Sequence, residues 1–269
     1  MFFIVKSFIM KIVSWNVAGI RARLKNGHID NLLSKYDIDI LCIQETKAEE
    51  KQVALNSNIT DLFPHRYWNS SQGITQRKGF SGTSIWCKNK PIKHIDSPDF
   101  DLEGRTVILE FDSFIIINVY TPNSQALDSI RFNYRNEWDC KFRIYFQKLN
   151  TIKPTIICGD FNVAHNDIDI VKPKLKKNKI ARFLDKEREN FQSHLVNCNY
   201  IDIFRFMNPN IIKYTYWSNF LKTERSNNNG WRIDYFILPE NIISTVSSCD
   251  TLIDILGSDH CPIYIDINY

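Results

Sequence analysis

The chain reads as a single α/β domain containing at least one mixed β-sheet, and three features lead there. An apolar strand, an amphipathic helix and a second apolar strand follow one another over 11–45, an order that sets two strands in parallel. Two β-branched runs, 105–111 and 114–119, are separated only by Asp112-Ser113, which predicts an antiparallel hairpin. No composition shift or Pro/Gly/Ser-rich linker divides the 269 residues, so 1–269 is expected to form one domain with a two-layer or four-layer core.

The first ten residues are apolar apart from Lys6 and Ser7 and run straight into the first strand, unlike a signal peptide with its basic leader and small-residue cleavage site. That strand, Lys11 to Asn16, ends on a carboxamide. Ile29, Leu32, Leu33 and Tyr36 are spaced for one helical face. Ile38 to Glu45 is the next strand and exits through a carboxylate. Residues 64 to 104 read as irregular around one strand, Thr83 to Cys87. The second hairpin strand leaves through Tyr120-Thr121-Pro122-Asn123. From 127 to 149 the stripe Ile130, Tyr134, Trp138, Phe142, Phe146 and Leu149 predicts the longest helix, with that stripe in the core.

Thr155 to Cys158 is a buried strand, after which Gly159 allows a sharp turn and Asp160 and Asn162 stand at its exit, where ligands are commonly met. Taken alone, Asp160 could equally cap the turn and Asn162 could serve its left-handed backbone. Six positive charges fall within 172–182, which suits either a solvated loop or phosphate contact. Tyr214, Tyr216, Trp217, Phe220 and Trp231 flank the amide-rich 225–230, as a surface recognition loop or as core rings around a hairpin tip. Strands at 231–238 and 261–267 follow, with Asp234 near the entrance of the first and Asp259-His260 at that of the second. Ile12 to Asn16 and Ile156 to Asn162 form a weak internal echo.

A net charge of +4 is weak support for a polyanionic partner. The seven cysteines, odd in number and without a Cys-x-x-Cys pair, sit mostly in apolar runs, which argues against zinc and disulfides and for a reducing intracellular compartment. No apolar run approaches the length of a membrane span.

If the two late strands run antiparallel to the others, Asn16, Glu45, Tyr120, Asp160, Asn162, Asp234, Asp259 and His260 share one rim. Several carboxylates so gathered repel one another unless a hard cation sits among them, and oxygen ligands select Mg²⁺ or Mn²⁺. Such a rim could polarise a phosphoryl group, prepare a water and hold a protonated His260 beside a phosphate.

Six ordered segments carry a resemblance: 14–22, Gln44-Glu45-Thr46-Lys47, Asn118 to Asn123, Gly159 to His165, Gly230 to Phe236 and Gly257 to Pro262. Together they resemble the motif set of exonuclease III type apurinic/apyrimidinic (AP) endonucleases, within the endonuclease/exonuclease/phosphatase superfamily. The resemblance implies a four-layer α/β/β/α sandwich of two mixed sheets flanked by helices (DNase I-like). It implies Mg²⁺-dependent hydrolysis, with Mn²⁺ as an alternative, of duplex DNA 5′ to an abasic site, by a monomer with no membrane association. Glu45, Asn16 and Asp259 are then the metal ligands. Asp160 activates water or serves the leaving oxygen, Asn162 positions the water or phosphate, and His260, oriented by Asp234, joins Tyr120 and Asn123 at the phosphate. Tyr216, Trp231 and Ile233 match a pocket for the flipped abasic sugar, and Arg21, Lys47, Arg105 and the 172–182 run are expected phosphate contacts. Ala18 stands where the family usually has Asp or Asn, which removes an oxygen from the metal shell and implies weaker Mg²⁺ affinity. Ala126 replaces a frequent basic residue, and the 226–229 loop carries one extra residue by comparison. Two rivals stay open: a superfamily phosphoesterase acting on lipid, inositol phosphate, RNA or retroelement target DNA, and an inactive DNA-binding relative.

Overall fold

The structure, a computed structural model, describes residues 9–73, 76, 79–220 and 223–268. The apolar start at 1–8 lies outside the described residues. Twelve strands and seven α-helices are defined among them. The strands are β1 (Ile9–Asn16), β2 (Ile40–Gln44), β3 (His65–Asn69), β4 (Thr83–Cys87), β5 (Lys93–Ile95), β6 (Thr106–Glu110), β7 (Ile115–Tyr120), β8 (Thr155–Asp160), β9 (Tyr200–Asp202), β10 (Asp234–Pro239), β11 (Val246–Thr251) and β12 (Ile263–Asn268). The helices are α1 (Ile20–Lys25), α2 (His28–Lys35), α3 (Ser57–Leu62), α4 (Ile130–Ile152), α5 (Pro173–Lys176), α6 (Asp185–Val196) and α7 (Ile203–Met207).

Two six-stranded sheets form, ordered β11-β12-β1-β2-β4-β3 and β5-β6-β7-β8-β10-β9. Each is mixed: β1 runs parallel to β2 and β7 parallel to β8, while β12 and β10 pair antiparallel with β1 and β8. Alternation along the strands explains the layering. Ile156 and Cys158 of β8 turn inward with Ile116, Ile40 and Ile265 to fill the space between the sheets. Ile157 of β8 faces the other way, onto Trp138, Phe142 and Phe146 of α4. Val13, Leu41 and Ile43 meet Ile29 and Leu32 of α2 on the far side. Helices therefore cover both outer faces, giving the expected four layers.

One polar crosspiece interrupts the apolar middle. Asn118 of β7 donates to the carbonyls of Ile43 and Ser84 (2.9 Å each) and accepts from Gln44 Nε2 (2.6 Å), which also donates to Ser14. These directional bonds between buried amides, which leave Gln44 Oε1 without a partner, fix one sheet's position on the other.

The structure differs from the sequence reading in three places. The segment 64–104 contributes two further strands, β3 and β5, which are half-buried or exposed at sheet edges and carry no apolar alternation. Ile130 opens α4 but is 87% exposed, while Phe132 in the same turn is buried in its place. The strand expected from Trp231 starts only at Asp234, and Trp231 forms isolated bridges to Ile170 and Tyr216 instead. The hairpin, the β1–β2 parallel pair and the antiparallel late strands stand as expected. All seven cysteines are free thiols, and six are buried. Among the described residues no helix is long and apolar enough to cross a membrane.

Two outcomes test this packing. Gly159 has φ 140, and a Cβ there would stand 1.9 Å from the Val119 carbonyl oxygen of the adjacent strand. Gly159→Ala is therefore expected to lower stability by about 3 kcal/mol or more, measured by urea unfolding. His194 on α6 is buried among Phe142, Phe146 and Phe191, and burial, helped by Arg143 and Arg135, lowers its pKa to about 3. A depressed folded pKa gives stability that is complete above the unfolded value near 6.5 and is lost as pH falls toward 3. Between pH 7 and 5 this amounts to about 2 kcal/mol, and His194→Leu should flatten that part of the melting-temperature profile.

Candidate active site

Strand pairing assembles the rim. The parallel register sets Asn16 beside Gln44, so that Glu45, the next residue, leaves β2 next to Asn16. The β7–β8 register sets Tyr120 beside Asp160, and the antiparallel β10 brings Asp234 opposite Asp160. Exits and entrances thus share one edge.

Asn16 joins the two sheets at that edge. Its Nδ2 donates to Glu45 Oε1 (3.1 Å) and to Asp160 Oδ2 (2.9 Å), while its Oδ1 accepts from the Ala18 N–H (3.0 Å). Asn16 therefore turns its N–H toward the acids and commits its oxygen to a turn. In this geometry Asn16 is a bridge between the two acids. The same turn recurs in the other half, where the Asn162 N–H donates to Asp160 Oδ1 (2.8 Å), and both Ala18 and Asn162 have φ 48. The internal echo thus pairs Asn16 with Asp160 and Ala18 with Asn162. A left-handed backbone in a residue other than glycine costs about 1–3 kcal/mol and gathers at functional sites.

Glu45 accepts from Asn16, from Lys47 Nζ (2.7 Å) and from the Tyr120 hydroxyl. Burial alone would raise its pKa, but Lys47, by charge and by hydrogen bond, with Tyr120 and Asn16, holds it down at about 2. Burial and the neighbouring Glu45 push the Tyr120 phenol well above its usual value, so it stays a donor. Arg105 was expected at a phosphate; it is buried instead, paired with Glu103 (2.7 Å), donating to the Tyr120 carbonyl (2.8 Å) and lying 4.7 Å from the Tyr120 ring centroid. It supports Tyr120 from behind.

On the second sheet, His260 Nδ1 lies 2.8 Å from Asp234 Oδ2, and His260 Nε2 lies 3.8 Å from Asp160 Oδ2. Thr215, which the sequence reading did not single out, donates its hydroxyl to Asp234 Oδ2 (2.6 Å) and so fixes that carboxylate. Burial would lower the His260 pKa, but Asp234, Asp160 and Asp259 raise it to about 10, which keeps the imidazole protonated at neutral pH. Burial and then Asp234 raise Asp160 to about 7, against the charges of His260 and Arg182. Ser258 donates to the Asn16 carbonyl (2.7 Å) and to Asp259 Oδ1 (3.2 Å), tying the last loop to β1.

Asp160, Asp234 and His260 bring ligand atoms within 4.8 Å of one another, the tightest candidate metal group among the described residues. A protonated imidazole hydrogen-bonded to Asp234 repels a cation, so this trio is better suited to moving protons. Glu45 suits a metal: it is ionised, already draws the Lys47 cation, and offers the hard oxygen that magnesium-like ions prefer. Asp259 is half-buried at the same rim and shows no direct hydrogen bond to Glu45.

Tyr216, Trp231 and Ile233 come together as expected. The first two rings are 5.6 Å apart, Tyr216 is 4.9 Å from His260, and Ile233 is fully buried beneath. The basic run divides: Lys172, Lys174, Lys177 and Lys179 are exposed, Lys176 lies over Trp231, and Arg182 turns into the site, donating from Nε to Asn162 Oδ1 (2.8 Å). The Asn162 amide is held at its other end too, donating to the Thr121 carbonyl (2.9 Å). Asn123 spends its oxygen on the Gln125 N–H (2.8 Å), and Arg21 is exposed on α1 away from these groups.

Known proteins are similar to this chain in sequence and in fold. Residues 13–260 match the model of the Endonuclease/Exonuclease/phosphatase family. The chain is 38% identical to an exodeoxyribonuclease of Bacillus subtilis, over 96% of this chain and 100% of that one. It is 40% identical to a DNA-(apurinic or apyrimidinic site) endonuclease of Dictyostelium discoideum, over 96% of this chain and 71% of that one. Among solved structures it is similar to an AP endonuclease from Leishmania major (28% identity, TM-score 0.82, 97% and 88% covered). It is also similar to a 3′ phosphatase from Neisseria bound to product DNA hairpin (26% identity, TM-score 0.86, 97% and 100% covered). With its fold, its polar rim and matches of this extent, the chain belongs to the endonuclease/exonuclease/phosphatase family.

Proposed function

We propose that the chain is a DNA-repair hydrolase that breaks the phosphodiester 5′ to an abasic site in duplex DNA, leaving a 3′-hydroxyl and a 5′-deoxyribose phosphate, with 3′-end processing by the same centre. The observation that carries this is the joining of Glu45, Asp160 and His260 on one rim beside the Tyr216–Trp231–Ile233 pocket. Relatives named for both AP endonuclease and 3′ phosphatase action support it. A superfamily enzyme for lipid or inositol phosphates has no need of an aromatic recess beside the phosphate. A monomer is the proposed state, since one chain suffices to complete the rim.

Glu45 would hold a Mg²⁺ ion, or Mn²⁺ in its place, aided by Asp259. When bound, the metal supplies polarisation of a phosphoryl oxygen. Asp160, aimed by Asn16 and the Asn162 N–H, takes the proton of the attacking water. His260, kept charged by Asp234, and the Tyr120 hydroxyl meet the charge that develops on the phosphoryl oxygens. Exposed Lys172, Lys174 and Arg21 track the phosphate backbone, so binding weakens with salt. An abasic nucleotide lacks pairing and is the easiest to extrude, and a recess with no room for a base selects it.

Asp160→Asn should lower cleavage of a duplex bearing one tetrahydrofuran residue on the order of 1,000-fold while binding of that duplex stays nearly intact, measured by gel assay and anisotropy. Cleavage at the parent rate by this variant would remove Asp160 from the chemistry. Ala18→Asp places an oxygen at the turn beside Glu45 in a backbone conformation that aspartate tolerates better than alanine. The Mg²⁺ concentration for half-maximal cleavage should fall about fivefold or more, the scale of one added charged ligand; an unchanged titration would remove Ala18 as the cause of weak metal binding.

A further inference from the structure

Arg182, half-buried, has a setting unlike that of the fully buried arginines. Arg105, Arg135 and Arg232 each pair with a carboxylate. Arg182 makes no such pair among the described residues; its guanidinium carbon lies 4.5 Å from the Tyr216 ring centroid and 5.6 Å from that of Trp231, with Nε on Asn162. It also hydrogen-bonds the Tyr216 hydroxyl and is close enough to Asp160 and Tyr120 to feel their charge. The side chain thus lies in the angle between the two rings that wall the recess, on the side facing the reactive groups. Its backbone has φ 72, a conformation in which glycine is unstrained, so a long cation is kept there at a cost.

Breaking the phosphodiester 5′ to an abasic site and removing a 3′-terminal phosphate cleave the same kind of bond. In both, the oxygen of water bonds to phosphorus, the P–O3′ bond breaks, and the departing O3′ takes a proton to become a 3′-hydroxyl. The reactions differ only in what the phosphorus carries on its far side. For the abasic site it is a deoxyribose that must enter the recess; for the terminal phosphate it is an ionised oxygen, and the second product is inorganic phosphate. A guanidinium between the two ring walls narrows the recess for the sugar and complements the ionised oxygen.

We propose that Arg182 is the specificity-determining residue of this pocket and turns the enzyme toward 3′-terminal phosphate on nicked duplex DNA in preference to the internal abasic site. This rests on the phosphoester-hydrolase reading above. The test compares kcat/KM of the full chain and of Arg182→Gly and Arg182→Lys on two duplexes, one with an internal tetrahydrofuran and one nicked with a 3′-phosphate. Parent protein should favour the 3′-phosphate. Arg182→Gly, which suits φ 72, should lose about tenfold or more on the 3′-phosphate, the scale of one charge-assisted hydrogen bond, while its rate on tetrahydrofuran rises. Arg182→Lys should keep most of the 3′-phosphate rate. Damage to Asn162 positioning or to folding would lower both rates together and leave their ratio fixed. A fixed ratio in Arg182→Gly, or a parent that prefers tetrahydrofuran, overturns the proposal; a parent that cuts neither duplex overturns the hydrolase reading itself.

Discussion

The Asn16 carboxamide is the contact on which the site depends. Glu45 belongs to one sheet and Asp160 to the other, and two carboxylates at a shared edge repel strongly where water is scarce. Asn16 Nδ2 donates to both, 3.1 and 2.9 Å away, and so converts a repulsive gap into a bridge. The bridge works only because the sheets are already fixed in position by the Asn118 crosspiece one layer below. An apolar sandwich alone would leave the sheets free to slide, since dispersion and burial have no preferred register. The directional amide bonds supply that register, and the strand pairings carry it out to the side chains.

The two halves of the rim begin alike and end differently. β1 and β8 each close with an Asx turn and a residue at φ 48, each with a parallel neighbour on one side and an antiparallel one on the other. Glu45, the neighbour in the first half, is held ionised by Lys47 and is the proposed anchor for a cation. In the second half Asp234 and His260 surround Asp160, whose burial favours the protonated form. One frame thus presents a permanent anion and a proton-exchanging group a few ångströms apart, which are the two elements that phosphoester hydrolysis needs.

Much of this was legible in the sequence because strands buried on both faces leave an uninterrupted apolar record, as at Ile12–Val13, Ile40–Ile43 and Ile115–Ile117, and because the polar residues at their ends then stand out. The edge strands β3 and β5 left no such record, since one or both of their faces meet solvent. Side-chain direction was also beyond reach: nothing in Ser14-Trp15-Asn16 tells whether the amide offers oxygen or nitrogen to Glu45. Arg105 was misread for a similar reason. A basic residue beside a strand looks like a surface contact until its acid, Glu103, is seen to be buried with it. Thr215 left no signal, as a threonine between two tyrosines is an ordinary strand residue.

Buried arginines explain how irregular loops become precise enough for chemistry. Arg135 donates to the carbonyls of Pro122 and Phe161 (2.8 Å each) and pairs with Asp139, locking the loop after β7 to the loop that holds Asn162. Arg232 binds Asp169 and Asp202 together and so fixes Trp231 beside it. Taking such charges out of water costs several kcal/mol each, and each guanidinium offsets this with several donors in a fixed plane. Loops held in this way need no rearrangement as charge builds on the phosphate, which is the condition for electrostatic catalysis. By the same reasoning a half-buried guanidinium without a carboxylate partner is left out of balance. Arg182, packed on Tyr216 and bonded only to neutral groups, leaves positive charge to be matched, and a phosphate entering beside Asn162 is the anion placed to match it.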